Sequence, residues 1–361
     1  MKISEILDFL SAEKIAFTFE GNRETTVEGF SSLQHYKPNS FTWIKTGKNI
    51  PESLDLSQIT LAIVSDGVDT GTIPNTIRTT NSKRAFFSSI EYFYGQEDDR
   101  PAVGQFTYIS PKVKLGKNVR IGHNCTLDGD ITIGDGTVIW NNVVIVNRVS
   151  IGKDCEIASG TVIGQDGFGY TEDGEHKKAM IKHFGGVTIG NRVTILENCS
   201  ISRGVIDDTM IKSGVKIDAE VRVGHNCMIG EDSAFICGSQ LYGSCRFGRN
   251  TYFASGVIKN QAAVGENGFV GMGAIVLKDV LPGETVVGNP ARPLIKKTAV
   301  VQNVIRECGQ GSTLPDGVAP SENFSLLSSC GNASSCTFRI SSENRAECGI
   351  SAVSFLKEGA L

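Results

Sequence analysis

No apolar run in this 361-residue chain approaches the roughly 18 to 20 residues that a membrane-spanning helix needs. The opening stretch, MKISEILDFLSAEK, carries charges every few residues. Both observations argue against a membrane span, and the expected location is the cytoplasm. There is no excess of positive charge: 35 Lys and Arg face 39 Asp and Glu, a formal net charge of -4. That balance argues against wholesale nucleic-acid binding. Histidine is scarce, with five in all, and no Cys-x-x-Cys pair or Cys/His cluster has the spacing of a zinc site. Neither a metal nor a tightly bound cofactor is expected. Ten cysteines are present, but in a chain too long for a small secreted disulfide scaffold. Hydrophobic residues make up 40% of the chain, enough for a sizeable core and more than one domain.

What the sequence does have is a period of six. Leu115, Ile121, Leu127, Ile133, Ile139, Ile145, Ile151, Ile157 and Ile163 follow one another without a miss. The period returns at Ile189, Ile195 and Ile201, runs again from Ile211 to Phe253, loses one residue, and continues from Ile258 to Val276. Six fits neither an amphipathic helix nor a simple strand, but it suits a hexapeptide β-helix in which every sixth side chain enters a narrow prism. Three hexads form a coil, so residues 18 apart stack about 4.8 Å from one another. The fourth residue after each aliphatic position must also fit inside. Cys125, Cys155, Cys199, Cys227 and Cys245 occupy that slot with Thr137 and Thr161, so these cysteines read as small wall-fillers.

Two stretches leave the register. Residues 164 to 187, rich in Gly and charge, should form a loop, a common location for sites on a rigid scaffold. RGVIDDT at 203 to 209 adds four residues between hexads and should bulge a corner. Residues 1–100 lack the hexad. Helical spacing of Ile3, Ile6, Leu7 and Leu10, and of Phe86, Phe87, Ile90 and Phe93, alternates with strand-like IAFTFE, SFTWIK and TLAIVS, predicting a small α/β domain. The β-helix should occupy 101–294. From 295 to 361 the spacing of KTAVVQNVIREC suits one helix, after which the chain turns Ser-, Gly- and Cys-rich, predicting an irregular or disordered C-terminal tail.

The tetrapeptide GHNC occurs twice, around His123 and His225, in the same hexad phase with histidine outward and cysteine inward. Acyl transfer from a thioester to an amine needs a general base and donors for the tetrahedral oxyanion, and histidine is the natural base near neutral pH. His225 has Gly243 one coil later, whose bare backbone N–H can approach an oxyanion, and Asp218 on the preceding hexad as a candidate to orient its ring. His123 has no such partners and is expected to be a surface residue. A carbonic-anhydrase-like metal site would need three converging histidines, and His123, His183 and His225 are too differently placed for one.

The wording QDGFGYTEDG, FGGVTIGNRV, SRGVIDDTMI, VKIDAEVRVGHN and YGS, with GFSSLQ and SFTWIK near the start, resembles the UDP-3-O-acylglucosamine N-acyltransferases of lipid A biosynthesis over roughly residues 1 to 290. The resemblance implies a left-handed parallel β-helix. It also implies catalytic roles for His225, Asp218 and Gly243, stacking of uracil on Trp43 in an N-terminal uridine-binding domain, and substrate contacts from Asp166, Phe168 and Tyr170. Gln261 falls where the family has a second histidine near the substrate. A homotrimer is implied, with active sites between prisms, a UDP-amino sugar as acceptor and a hydroxyacyl thioester on acyl carrier protein as donor. Lys278, Arg292, Lys296 and Lys297 form a candidate basic patch for that acidic partner. The chain departs from the family at Ser202, where the family has Asp, and in its VVGNPARPL ending, which looks like general hexapeptide acetyltransferases. Two alternatives therefore stay open: an acetyl-CoA-dependent acetyltransferase of another UDP-amino sugar for surface polysaccharide, and a non-catalytic hexapeptide scaffold.

Overall fold

A computed structural model describes residues 1–96 and 99–294, with two short strands, Thr337–Ile340 and Ala346–Gly349, that pair antiparallel. The expected helix over KTAVVQNVIREC, Lys296 and Lys297, and nearly all of the tail lie outside the described residues. The chain divides into two compact units, Met1–Asp99 and Arg100–Leu361.

In the first unit, helices Ile3–Ala12 and Ser82–Tyr94 accompany a five-stranded sheet ordered Thr18–Glu20, Thr76–Thr79, Leu61–Ser65, Ser40–Ile44, Gly29–Phe30. All its pairs are parallel except the edge pair of Thr18–Glu20 with Thr76–Thr79. The Asn81 side chain caps the second helix by accepting from the Arg84 N–H. Ile6 and Leu10 pack with Phe41, Leu61, Ile63 and Phe86 in one apolar cluster, and Leu33, Ile44, Ala62 and Val64 build another. The strands Gly29–Phe30 and Thr76–Thr79 were not expected. The first is two residues long, and the second buries two threonines, so neither presents an apolar run.

The second unit is the left-handed parallel β-helix of hexapeptide repeats. Its hexads form short strands on three faces, most of two residues, with Thr126–Ile133 and Val144–Ile151 running eight residues each, and each inward aliphatic residue stacks on its counterpart one coil away: Ile121 pairs with Ile139, Ile139 with Ile157, Ile217 with Phe235. The inward cysteines and threonines are buried as expected, with Cys227, Cys245, Thr137 and Thr161 wholly inaccessible. Their polar atoms are satisfied by carbonyls, as in Thr137 Oγ1 to Gly152 O at 2.8 Å and Cys227 Sγ to Tyr242 O at 3.1 Å. Chain reversal at the corners uses residues in the left-handed conformation, mostly Asn and Asp: Asn124, Asn142, Asp154, Asn198, Asn226 and Asp232 all have φ between 54° and 59°.

The ladder closes beneath both interruptions. Ile151 pairs directly with Ile189 and Ile163 with Ile201 across the long loop, while Ile189 pairs with Ile211 across the bulge. Both interruptions leave the same edge of the prism. The loop separates strands Val162–Gln165 and Val187–Ile189, the bulge separates Ser200–Ser202 and Thr209–Ile211, and the turn carrying His225 separates Arg222–Val223 and Met228–Ile229. The first strand of each pair belongs to one face and the second to the next.

Candidate active site

That shared edge brings the two interruptions together at His225. The Asn226 side chain joins them: its Oδ1 accepts from Val205 N at 3.0 Å and its Nδ2 donates to Asp207 O at 3.1 Å, both in the bulge. These partners fix the amide orientation, so the 3.1 Å contact between Asn226 Oδ1 and His225 Nδ1 must be donated by Nδ1–H. The proton on Nδ1 leaves the lone pair on Nε2, the state of a general base. The Nε2 edge lies over Gly243, where a Cβ would stand 2.5 Å from Nε2 and 2.6 Å from Cε1. Glycine is thus required at 243 by the close approach of the imidazole.

Gly243 also interrupts a pattern. At other corners an Asn, Asp or Ser side chain accepts an N–H from the adjacent coil, as Asp135 Oδ1 does from Lys117 N and Asn191 Oδ1 from Lys153 N, both at 2.8 Å. Gly243 offers no such acceptor. Among the described residues neither the His225 N–H nor the Gly243 N–H has a partner. A cavity of about 290 Å³ opens here, lined by Gly167, Phe168, Arg222, His225, Tyr242 and Gly243 among others.

The long loop walls this cavity with Gly167 and Phe168, and its hairpin, Tyr170–Glu172 against Lys178–Met180, borders a second cavity of about 420 Å³ that also reaches His225. Phe168 is 74% exposed and its ring lies 4.9 Å from that of Tyr170. Asp166 is tied down: its Oδ2 accepts from His183 N at 3.3 Å and its Oδ1 lies 3.8 Å from Arg203 Nε. Asp166 therefore braces the loop base. His183, considered from the sequence only as a metal ligand, is 4% exposed and packs its ring edge-to-face on His225, with centroids 5.5 Å apart. Its Nδ1 donates to Ile181 O at 2.9 Å, and its Nε2 is buried with no partner, which ordinarily costs about 1–3 kcal/mol.

Asp218 is not at this site within the chain. It follows Lys216–Ile217 on a third face and sits at another edge, where Oδ1 accepts from Ala219 N at 2.8 Å and Oδ2 from Cys237 N at 3.1 Å. The partner of His225 Nδ1 is Asn226. Gln261 lines a groove of about 1030 Å³ with Asn226, Met210, Met228 and Arg246, while its neighbour Asn260 lines the His225 cavity. His123 lies at the same edge type as Asp218, after Arg120–Ile121, and its Nδ1 accepts from Gln105 N at 2.8 Å. Its tautomer is the reverse of that of His225, and its ring caps a turn. Lys278 and Arg292 are both exposed.

In the first unit, Trp43 lines a cavity of about 480 Å³ with Phe30, Lys45, Asn49 and Phe87. Its Nε1 donates to Ser82 Oγ at 2.8 Å, and the ring stacks on Phe86 with centroids 6.4 Å apart and 21° between planes. With Nε1, its one polar atom, engaged, the indole can offer the cavity only apolar ring atoms.

Residues 130–165 match the family model described as bacterial transferase hexapeptide (six repeats), and 112–147 match hexapeptide repeat of succinyl-transferase. The UDP-3-O-acylglucosamine N-acyltransferase of Helicobacter pylori (strain ATCC 700392 / 26695) is 37% identical over 270 residues, covering 70% of this chain and 78% of that protein. The protein of the same description from Pseudomonas syringae pv. syringae (strain B728a) is 27% identical over 255 residues, covering 65% and 70%. Among solved structures, the UDP-N-acetylglucosamine acyltransferase of Francisella novicida superposes with a TM-score of 0.49 at 22% identity, covering 61% of this chain and 83% of that one. With the hexapeptide prism, the histidine at its interrupted edge and a relative of this similarity over most of both lengths, the chain belongs to the UDP-3-O-acylglucosamine N-acyltransferase family and is an acyltransferase.

Proposed function

We propose that the protein transfers a 3-hydroxyacyl group from acyl carrier protein to the 2-amino group of UDP-3-O-acylglucosamine, a step of lipid A biosynthesis, in the cytoplasm. His225 Nε2 takes a proton from the amine as its nitrogen attacks the thioester carbonyl. Gly243 N–H donates to the oxyanion that forms. As the tetrahedral intermediate collapses, the carbon–sulfur bond breaks and the imidazolium returns the proton to the departing thiolate, leaving an amide and a free phosphopantetheine thiol. The observation that carries this reading is the pairing of a histidine whose tautomer is fixed with Nε2 free and an unpaired N–H on the glycine beneath it.

Trp43 is assigned to the uracil ring, since its Nε1 is engaged and its flat face borders a cavity. Phe168 and Tyr170 are assigned to the substrate side of the loop. Asp218 faces away from His225 in its own chain, so any part it takes in catalysis belongs to a neighbouring prism of the trimer that the family resemblance implies.

The test offers purified protein two donors, hydroxyacyl-acyl carrier protein and acetyl-CoA, each with UDP-3-O-acylglucosamine and with simpler UDP-amino sugars. Turnover of the carrier-protein thioester with UDP-3-O-acylglucosamine is expected. Turnover with acetyl-CoA alone overturns the substrate assignment in favour of an acetyltransferase, and undiminished transfer by His225→Ala overturns the base.

A further inference from the structure

The least explained polar atom near the site is Nε2 of His183. The residue is 4% exposed; donation from Nδ1 to the Ile181 carbonyl places one proton there, and with no acceptor beside the buried Nε2 the lone pair sits on that nitrogen. The lone pair has no donor within the protein. It borders the same backbone as the catalytic ring: a Cβ at Gly167 would stand 3.3 Å from His183 Nε2 and 3.0 Å from His225 Cδ2. The two imidazoles are perpendicular, at 89°.

A buried acceptor without a donor is unfavourable for folding, and it is tolerated where another state of the molecule uses it. The state that changes here is the charge on His225. When that ring takes a proton, positive charge spreads over its carbons, and a nearby fixed lone pair lowers the energy of the cation.

Other charged groups around His225 do not supply this. Glu172 and Lys178, on the hairpin, are paired with each other, and Asp166 on the far side of His183 lies against Arg203. Tyr170 and Tyr242 are neutral at working pH, and Arg222, across the cavity, opposes a cation.

We propose that His183 is a positioning residue for His225: its neutral ring holds the catalytic imidazole edge-to-face, and its unpaired Nε2 stabilises the imidazolium formed during acyl transfer. This rests on the reading of His225 as the base.

The experiment measures kcat, KM and the pH profile of kcat/KM for His183→Phe, with hydroxyacyl-acyl carrier protein and UDP-3-O-acylglucosamine. Phenylalanine keeps the perpendicular ring and removes the lone pair. Losing it makes His225 harder to protonate, so the acid limb should move to lower pH, with kcat down about tenfold and KM for the UDP-sugar unchanged. His183→Gln, which restores an acceptor, should recover part of the loss. A wild-type profile in His183→Phe, or a fall in kcat with the acid limb unmoved, overturns the proposal while an inactive His225→Ala leaves the base assignment standing. Should His183→Phe fail to fold, ring ¹⁵N spectra of the intact wild-type protein decide the matter. An unprotonated Nε2 at His183 through neutral pH is expected, and a proton there overturns it.

Discussion

Asn226 Oδ1 lies 3.1 Å from His225 Nδ1 and accepts its hydrogen bond, while the same asparagine holds the middle of the bulge at Val205 and Asp207. One side chain therefore sets the tautomer of the base and holds the wall beside it. The residue has φ 59°, so Asn226→Gly keeps the corner geometry while deleting the amide. Activity should fall on the order of a hundredfold in steady-state assays, with a thermal midpoint lowered by only a few degrees. Unchanged kcat in this variant would show that the ring needs no such partner.

Gly243 makes a different demand. Its φ is not positive, so alanine suits the backbone, yet the added methyl carbon would stand 2.5 Å from His225 Nε2. Gly243→Ala should leave urea stability within about 1 kcal/mol of wild type while lowering kcat by about 10²–10³. Loss of fold and activity together would contradict a local clash with the base.

Asp208 anchors the groove side of the same edge. Burial opposes its ionisation, but hydrogen bonds from Thr188 Oγ1 and Gly186 N and the Arg148 guanidinium outweigh it, holding the carboxyl below the usual carboxylate range. A depressed folded-state value means stability present above the unfolded carboxylate range and lost as pH falls through the lower folded value. Asp208→Asn should be less stable than wild type near pH 7, and the gap should close in acid. A gap independent of pH in paired denaturation curves would remove the charge from the explanation.

Cys199, inside the prism, titrates in the opposite direction. Burial pushes the Cys199 thiol up to about 11, so the unfolded chain loses that proton first as pH rises. Stability from this thiol is complete below the ordinary thiol value and is lost as pH climbs through the folded one. Urea midpoints should hold to pH 8 and then decline, and Cys199→Ala should decline less. Alkylation followed by mass spectrometry should spare Cys199 in the native protein and label it in denaturant.

The β-helix was legible because its physics repeats. Every sixth side chain must be apolar to enter the prism, and the slot four residues later must be small, so Ile121, Cys125 and their successors declare the fold by position alone. The active edge was legible only in part. His225 and Gly243 are one coil apart and could be matched by counting. Asp218 could not be excluded by counting, because a separation of seven residues looks close in sequence but crosses from one edge of a triangle to another. Asn226 was hidden by its ordinariness, since asparagine in the left-handed conformation turns many corners of this prism. His183 lies in a segment without periodicity, where a sequence offers no register for predicting contact; the flanking Gly185 and Gly186 were the one hint of tight packing.

Because Ile151 meets Ile189 and Ile163 meets Ile201 with no gap between coils, the long loop is an appendage whose removal leaves the stack of rungs intact. Its length is consequently free to vary without a toll on the scaffold. The hairpin from Tyr170 to Met180 can be shortened, lengthened or exchanged as a cassette, changing what reaches the base while the rigid column beneath stays as it is.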